Sequence, residues 1–348
     1  MENKTNPLVS IIIPHYNNYL ILEECIKSIK KNQYNNIEII VVDNASKDDS
    51  VLQIENNFPD ITIKKSKRNL GYAGGCNFGS KNANGKYLLF LNNDTIHNEF
   101  FLDGLVKVLN NNPEVACVQP KIKNYNNKEF FDYAGASGGY IDYLVFPFCR
   151  GRIFHTIEKD SNQYDNKTNV FWTSGTAFLT RKSVFLKLNG FDKKLFAHME
   201  EIDYSWKCYL AGYICCVNPS SMVYHHGAQT LEYNSPYKTY LNHRNSMILL
   251  LTNYNFTRSL LLFPIRFILE IISSINDLLR LNFFHFIAHY LALLSLLNIN
   301  YIYKRRKFNE QIRVRSDNAL FSYKIIFNYS IVIQYFINKI KTFNRLSF

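Results

Sequence analysis

The sequence predicts an α/β fold: a mostly parallel sheet flanked by helices on both faces, followed by a C-terminal helical region. Three observations point there. Short apolar runs alternate with stretches of helical spacing between residues 8 and 113, and strands buried on both faces of a parallel sheet read as such runs. Three of the runs end at His15, Asp43 and Asp94, and in open α/β sheets ligands lie beyond those strand ends. After about residue 232 the alternation stops and longer apolar stretches with basic flanks take over.

Each element has its own signal. "LVSIIIPHYNN" (8–18) is a buried strand stopped by Pro14, and "YLILEECIKSIKKN" (19–32) follows with helical spacing. "IEIIVVDNASKDDS" (37–50) is a second buried strand running into a polar turn, followed by a helix near 50–57 and a short strand at 61–65. "NLGYAGGCNFGSKNA" (69–83) is a Gly-rich turn entering a helix. "KYLLFLNND" (86–94) is a strand that delivers Asn92, Asn93 and Asp94 to its tip, and "NEFFLDGLVKVLNNNP" (98–113) is a helix closed by Pro113. In the second half, 171–192 reads as strand, small-residue turn and helix, 198–213 as a helix ending at Gly212, and 214–228 as strand, turn, strand and a His-bearing tip.

Composition narrows the partners. The chain has 348 residues, 47% of them hydrophobic, and a formal charge of +12. Such a balance suits anionic partners. The segment 301–348 holds ten Lys or Arg against Glu310 and Asp317, so it supplies most of the excess, and the rest of the chain lacks the broad basic face of a nucleic-acid binder. The seven cysteines are odd in number, lie mostly in apolar segments and form no CxxC, which reads as reduced thiols in a cytosolic setting. The first apolar run, 8–13, is too short for a signal peptide.

Two clusters carry chemistry. Asp94 and Asp43 stand at strand ends of one sheet, and His225 or His226 follows the later apolar strand "MVYHHG". A lone carboxylate there also serves as a turn or cap residue, but carboxylates with an imidazole suit a hard or borderline divalent ion with open positions. Glu200, Glu201 and Asp203 crowd a helix start. Acidic residues are favoured there by the helix dipole; packed together, they also make a general base with a raised pKa. "GYAGGCN" and "TSGTA" let a ligand approach the backbone closely, or simply pack tightly.

The ordered series "VSIIIPHYNN", "VVDNASKDDS", "NLGYAGGCNFG", "LFLNNDT", "WTSGTAFLTRKSVFLKLNGFD", "HMEEIDYSWKCYLAGY" and "VYHHGAQT" resembles the inverting family-two glycosyltransferases of the GT-A fold, in particular their rhamnosyltransferase-like branch, over about residues 8–230. The resemblance implies a glycosyltransferase domain over 1–231, with a nucleotide-binding half (about 8–120) and an acceptor-side half (about 121–231), and a separate C-terminal region over 232–348. It implies that Pro14, His15, Asn17, Asp43, Asn44, Asn69, Gly71, Gly74, Asn77, Asn92 and Asn93 contact a nucleotide-sugar donor, with Ser46 beside Asp43. Asp94 and His225 would hold Mg²⁺ or Mn²⁺. Ser174, Gly175 and Asp203 would face the acceptor. In the acidic pair Glu200-Glu201, Glu201 would be the base. Asn92 stands where a strict DxD pattern has Asp, and Glu201 where Asp is usual. The implied reaction moves a sugar, rhamnose first, from a UDP- or dTDP-sugar to a surface polysaccharide or lipid-linked glycan. UDP-GlcNAc or UDP-galactose as donor, or a non-catalytic nucleotide-sugar-binding subunit of a glycan assembly complex, are the alternatives.

The uncharged run 281–303, flanked by Arg280 and by "KRRK" (304–307), is expected as a helix lying on an anionic leaflet at the inner face of the cell membrane, held by the basic cluster, with a buried helix pair of a soluble domain or a membrane-spanning helix as the alternatives. The stretch 325–341 is expected as a second such helix or a homodimer contact.

Overall fold

A computed structural model describes residues 6–227 and 235–348. The expected domain boundary at 231/232 and the end of the "VYHHGAQT" motif lie outside the described residues. The first half follows the apolar runs closely: β1 (Val9–His15), α1 (Tyr19–Lys30), β2 (Ile37–Asp43), α2 (Ser50–Asn57), β3 (Thr62–Lys65), α3 (Gly71–Ser80), β4 (Tyr87–Leu91), β5 (Thr95–His97), α4 (Phe101–Asn111) and β6 (Val115–Asn124). Then come four short strands, β7 (Gly139–Asp142), β8 (Pro147–Cys149), β9 (Arg152–Ile153) and β10 (Thr156–Ile157), followed by β11 (Thr168–Val170), β12 (Ala177–Arg181), α5 (Lys182–Lys187), α6 (Glu200–Leu210) and β13 (Ile214–His225). The C-terminal region holds α7 (Pro236–Asn253), α8 (Phe256–Leu279), α9 (Phe283–Ser295), α10 (Ile299–Ile312), α11 (Asp317–Ser322) and β14 (Ile326–Phe327).

The main sheet runs β11-β13-β6-β12-β4-β1-β2-β3. The half containing β3, β2, β1 and β4 is parallel, as expected. The other half is mixed, because β12 is antiparallel to both β4 and β6 while β13 runs parallel to β6. Residues alternate between two cores. Val9, Ile11 and Ile13 of β1 face the side covered by α1 and α4, and Ile12 faces α3. Fully burying one such aliphatic side chain contributes about 1.5–3 kcal/mol.

Three expectations are corrected. The stretch 214–225 is one strand, with an irregularity in its pairing between Asn218 and Met222, rather than two. The Asn-, Tyr- and Phe-rich stretch 124–170 supplies most of a second sheet, β10-β9-β8-β7-β14, whose last strand comes from the C-terminal region. The expected single leaflet helix over 325–341 is thus replaced at its start by β14, which packs back on the body, and the buried Asp142 carboxylate accepts from the Ile331 N–H at 3.0 Å.

The third concerns 281–303. It is two helices, bent by 66° at a break where the Asn298 side chain caps α10 by accepting from the Tyr301 N–H. The long apolar helix is α8 instead: its most apolar 18 residues have a mean hydropathy of 1.5, and only 22% of them are buried. Arg266 and Glu270, which interrupt that run in sequence, turn inward. Glu270 accepts from Arg266 at 2.8 Å and lies 2.9 Å from His243 Nδ1 and 2.5 Å from His289 Nδ1. This buried network ties α7, α8 and α9 together and leaves Leu261, Ile268, Ile272 and Phe284 exposed. The basic cluster is also divided: Lys304 and Lys307 are exposed, Arg305 is buried, and Arg306 bonds the Leu251 carbonyl.

Candidate active site

Strand pairing explains why Asp94 and His225 meet. After β4 the chain turns through 92–94 into β5, which pairs antiparallel with β13 and sets His225 opposite Thr95. His225 Nε2 then lies 3.1 Å from Asp94 Oδ1. On its other side, Nδ1 lies 2.9 Å from Asp132 Oδ1. Asp132 follows β6 and is brought back along it by the Asp132 N–H to Ile122 C=O bond at 3.0 Å. All three side chains are buried.

Burial alone would lower the His225 pKa, but Asp94 and Asp132 outweigh it and push it up to about 10. Burial likewise opposes the Asp94 carboxylate, and His225 holds it below the usual carboxylate range. An imidazole with one nitrogen turned to a carboxylate and the other beside a second carboxylate is the arrangement of a metal-ligating histidine with its orienting partner. These residues fit a divalent cation held by Asp94 and His225, with Asp132 fixing the ring. His226 points elsewhere: it stacks on Tyr125 with centroids 3.7 Å apart, and its Nε2 is 3.4 Å from Glu24.

The strand-end loops are cross-tied. His15 stands opposite Asp43 in register, and its Nε2 is 2.9 Å from Ser50 Oγ while Nδ1 is 3.0 Å from Asn93 Nδ2. Burial lowers its pKa to about 4, so it is neutral at pH 7. Pro14 precedes it within β1. Asn17, at φ 58°, accepts from the Lys47 N–H at 2.8 Å, and its own N–H donates to Ser46 Oγ at 3.0 Å. Asp43 accepts from the Ser46 N–H at 2.8 Å. Asn44 Nδ2 reaches the Gly71 carbonyl at 3.4 Å, and its buried Oδ1 has no partner among the described residues.

At the start of α3, Asn69 accepts from the Gly71 N–H at 2.8 Å. Gly71 has φ +67°, and a Cβ there would lie 2.5 Å from the Phe196 carbonyl oxygen, so only glycine permits this approach. Gly74 packs on Leu70. Asn77 ties α3 to the loop after α5: its amide nitrogen donates to the Phe191 carbonyl at 2.7 Å and its oxygen accepts from the Phe191 N–H at 3.0 Å.

The turn 174–176 ties the Asp94 side to Tyr72 of α3, whose hydroxyl feels the charges of Glu200 and Glu201. Thr176 C=O accepts from the Asn92 N–H at 2.9 Å, and Gly175 C=O accepts from the Tyr72 hydroxyl at 2.5 Å. Ser174 is buried and donates to the Ala134 carbonyl at 2.6 Å. The Asn92 amide lies 3.4 Å from His225 Nε2. Glu200 and Glu201 open α6, each with a buried Oε2 that has no hydrogen-bond partner among the described residues. Burial pushes both carboxyls above the usual range, and Glu200 is raised further by Glu201. The segment entering α6 is strained: Phe196, His198 and Met199 all have φ between 66° and 72°.

Asp203, expected at the acceptor, is corrected. It is fully buried, ion-paired to Arg305 at 2.5 Å and Lys207 at 2.7 Å, and accepts from Asn253 at 2.9 Å. Its place one turn after Glu200 turns it into the body, where α10 meets α6. Sequence reasoning missed Asp132 and Arg305 because their partners lie 93 and 102 residues away.

Comparisons with known proteins agree with this architecture. The model of the family described as "Glycosyl transferase family 2" matches residues 10–188, just over half of the chain. An uncharacterized glycosyltransferase of Rickettsia bellii is 29% identical over 231 residues, which covers 59% of this chain and 33% of that protein. The N-acetylglucosaminyl-diphospho-decaprenol L-rhamnosyltransferase of Mycobacterium tuberculosis is 21% identical over 243 residues, 66% of this chain and 79% of that protein. The chain spans about a third of the length of the first curated relatives it matches.

Among solved structures, GalNAc-T7 with UDP, GalNAc and Mn²⁺ superposes with a TM-score of 0.57 at 16% identity, covering 71% of this chain and 48% of that one. The mannosyltransferase PcManGT of Pyrobaculum calidifontis with GDP-Man and Mn²⁺ gives 0.51 at 15% identity, over 85% and 88%. These likenesses establish the fold. With the family model spanning most of the parallel half, the Asp94 turn and β12, the chain belongs to glycosyl transferase family 2 and has the GT-A fold.

Proposed function

We propose that this glycosyltransferase inverts the anomeric carbon as it moves a sugar, rhamnose being the leading choice, from a UDP- or dTDP-sugar to a glycan or lipid-linked glycan at the cytoplasmic face of the membrane. The observation that carries this reading is the Asp94–His225–Asp132 cluster, linked through the 174–176 turn to Tyr72 and the acidic start of α6. Asp43, Asn44 and the start of α3 offer polar groups for the nucleotide, with Pro14, His15, Asn17, Asn69, Gly71 and Gly74 shaping its walls. Asp94 and His225 would hold Mg²⁺ or Mn²⁺, whose charge would offset that of the departing diphosphate.

The chain's own residues do the rest. Glu201, desolvated and with a free Oε2, accepts the proton of the acceptor hydroxyl as that oxygen attacks the anomeric carbon. Glu200 beside it is raised above the usual carboxylate range by burial and by the Glu201 charge, so the two titrate as a pair. Attack from the face opposite the diphosphate inverts the centre in one displacement. Ser174 and Gly175 line the acceptor side of this reading. The exposed apolar residues of α8 and α9 form a face that supports seating on a leaflet, with Lys304 and Lys307 available to anionic headgroups. Lipid-linked acceptors would then be presented where the protein docks.

The test is a donor screen with purified protein and a lipid-diphosphate acceptor, run on wild type and Glu201→Gln. Transfer from one UDP- or dTDP-sugar with inversion, lost in the variant while donor binding is kept, is expected. Normal turnover in Glu201→Gln overturns the base assignment. Donor binding without transfer under every condition favours the non-catalytic alternative.

A further inference from the structure

We propose that Arg305 of the C-terminal helix α10 is a positioning residue for the transfer base: it fixes Asp203, and with it the first turn of α6 on which Glu200 and Glu201 stand. The proposal rests on the assignment of that acidic pair to proton transfer.

Arg305 is buried and spans two acids from the glycosyltransferase domain. One guanidinium nitrogen is 2.5 Å from Asp203 and another 2.5 Å from Asp192, while Nε donates to Thr252 Oγ1 at 3.2 Å. The fork of a guanidinium suits such a bridge, and an ammonium cannot reproduce it. The residues around it are satisfied in turn. Tyr301 donates to Asp192 at 2.8 Å, and Asn309 holds Asn253 at 3.0 Å while Asn253 holds Asp203.

The same C-terminal region braces the other end of this segment. Asn245 of α7 donates to the carbonyls of Leu195, Ala197 and His198 at 3.0, 3.1 and 2.7 Å. Those are the carbonyls of the left-handed stretch that enters α6. A strained entry and a buried acid one turn later are thus both held from α7 and α10. The catalytic half is not self-sufficient in placing its acidic pair.

The charges balance locally. Asp192 and Asp203 face Arg305 and Lys207, and those cations hold Asp203 far below the usual carboxylate range against the pull of burial. The pair itself faces Tyr72 and Cys76 from α3 and Cys149 from β8, each raised by burial and neutral at pH 7. Asp203 is one of the charges that raise Glu200, after burial and Glu201. Removing Arg305 leaves that negative charge under-balanced next to the pair. Removing the Asp203 charge leaves an excess of positive charge there. The two changes therefore move the protonation of the pair in opposite directions, which a purely structural role would not do.

The experiment compares Arg305→Met, Arg305→Lys and Asp203→Asn with wild type in the full chain. For Arg305→Met, kcat is expected to fall roughly 10- to 100-fold from misplacement of the base, with donor KM within about twofold because the donor loops are untouched. The acid limb of its pH profile shifts up by roughly 1 unit, and that of Asp203→Asn shifts down. Arg305→Lys lies between wild type and Met. Titration of ¹³C-labelled glutamate carboxyls, assigned with Glu200→Gln and Glu201→Gln, gives the same shifts without turnover. Wild-type kcat and an unmoved limb in Arg305→Met, or shifts in the same direction in both variants, overturn the proposal. If wild type transfers no sugar, the functional reading fails while the carboxyl titration still decides this one. Should Arg305→Met not fold, Arg305→Lys and Asp203→Asn carry the test.

Discussion

Asp132→Asn isolates the electrostatic role of a residue that touches the proposed metal site only through His225. Asp132 is buried, its Oδ1 lies 2.9 Å from His225 Nδ1, and the same oxygen accepts from the Ala134 N–H at 2.7 Å. Asparagine keeps the volume and an acceptor oxygen for both bonds. What it loses is one of the two negative charges that raise His225. Orienting partners of this kind are worth about 10- to 100-fold in metal affinity, which is about 1.4–2.7 kcal/mol. Calorimetric titration with Mn²⁺ in the presence of UDP or dTDP should show that loss. Metal-free nucleotide affinity should be unchanged, because Asp43, Asn44 and the α3 turn are untouched. The His225 pKa should fall from its raised value by NMR titration. Unchanged Mn²⁺ affinity in a folded Asp132→Asn protein would refute the role given to Asp132 and weaken the case for His225 as a ligand.

Three further outcomes follow from the geometry. Gly71→Ala places a Cβ 2.5 Å from the Phe196 carbonyl at φ +67°, which should cost about 1–3 kcal/mol of stability; an unchanged urea midpoint contradicts the close packing of α3 on the 193–199 loop. The acid limb of kcat should lie above the ordinary carboxylate range, because burial raises Glu201 and the base works only when ionised, so activity is lost as pH falls through the raised value; a limb at or below about 4.3 rules out a buried base. The double variant Leu261→Lys with Ile268→Lys, both exposed on α8, should bind anionic vesicles at least about tenfold more weakly; undiminished binding in a flotation assay would remove α8 from the membrane reading.

Much of the nucleotide half was legible because local chemistry and tertiary placement agree there. The aliphatic runs of β1, β2 and β4 are buried on both faces, so their composition alone marks them, and strand ends carry Asp43 and Asp94 where a parallel sheet must place them. Strand β6 was not legible, because Lys121 and Lys123 interrupt its pattern; Asp160 pairs with both at 3.0 Å, and that partner is remote in sequence. The inward turn of Arg266 and Glu270 in helix α8 was not legible either. Arg266 and Glu270 stand four apart, the spacing of an intrahelical pair, yet their burial depends on His243 and His289 from two other helices. The 281–303 run looks uniform by hydropathy, while the break rests on one capping contact at Asn298. Asp203 shows the limit most clearly. Its neighbours Glu200 and Glu201 suggest a shared duty, but a guanidinium from α10 commits it to the interior.

The central claim is that the strand-end loops and the Asp94–His225 pair form a metal-dependent nucleotide-sugar site. The most direct test titrates the protein with UDP, dTDP, GDP and CDP, each with and without Mn²⁺, in wild type and Asp94→Ala. Binding of UDP or dTDP that requires Mn²⁺ and is lost in Asp94→Ala is the predicted result. Equal nucleotide binding with and without metal, or full metal-dependent binding in Asp94→Ala, would contradict it.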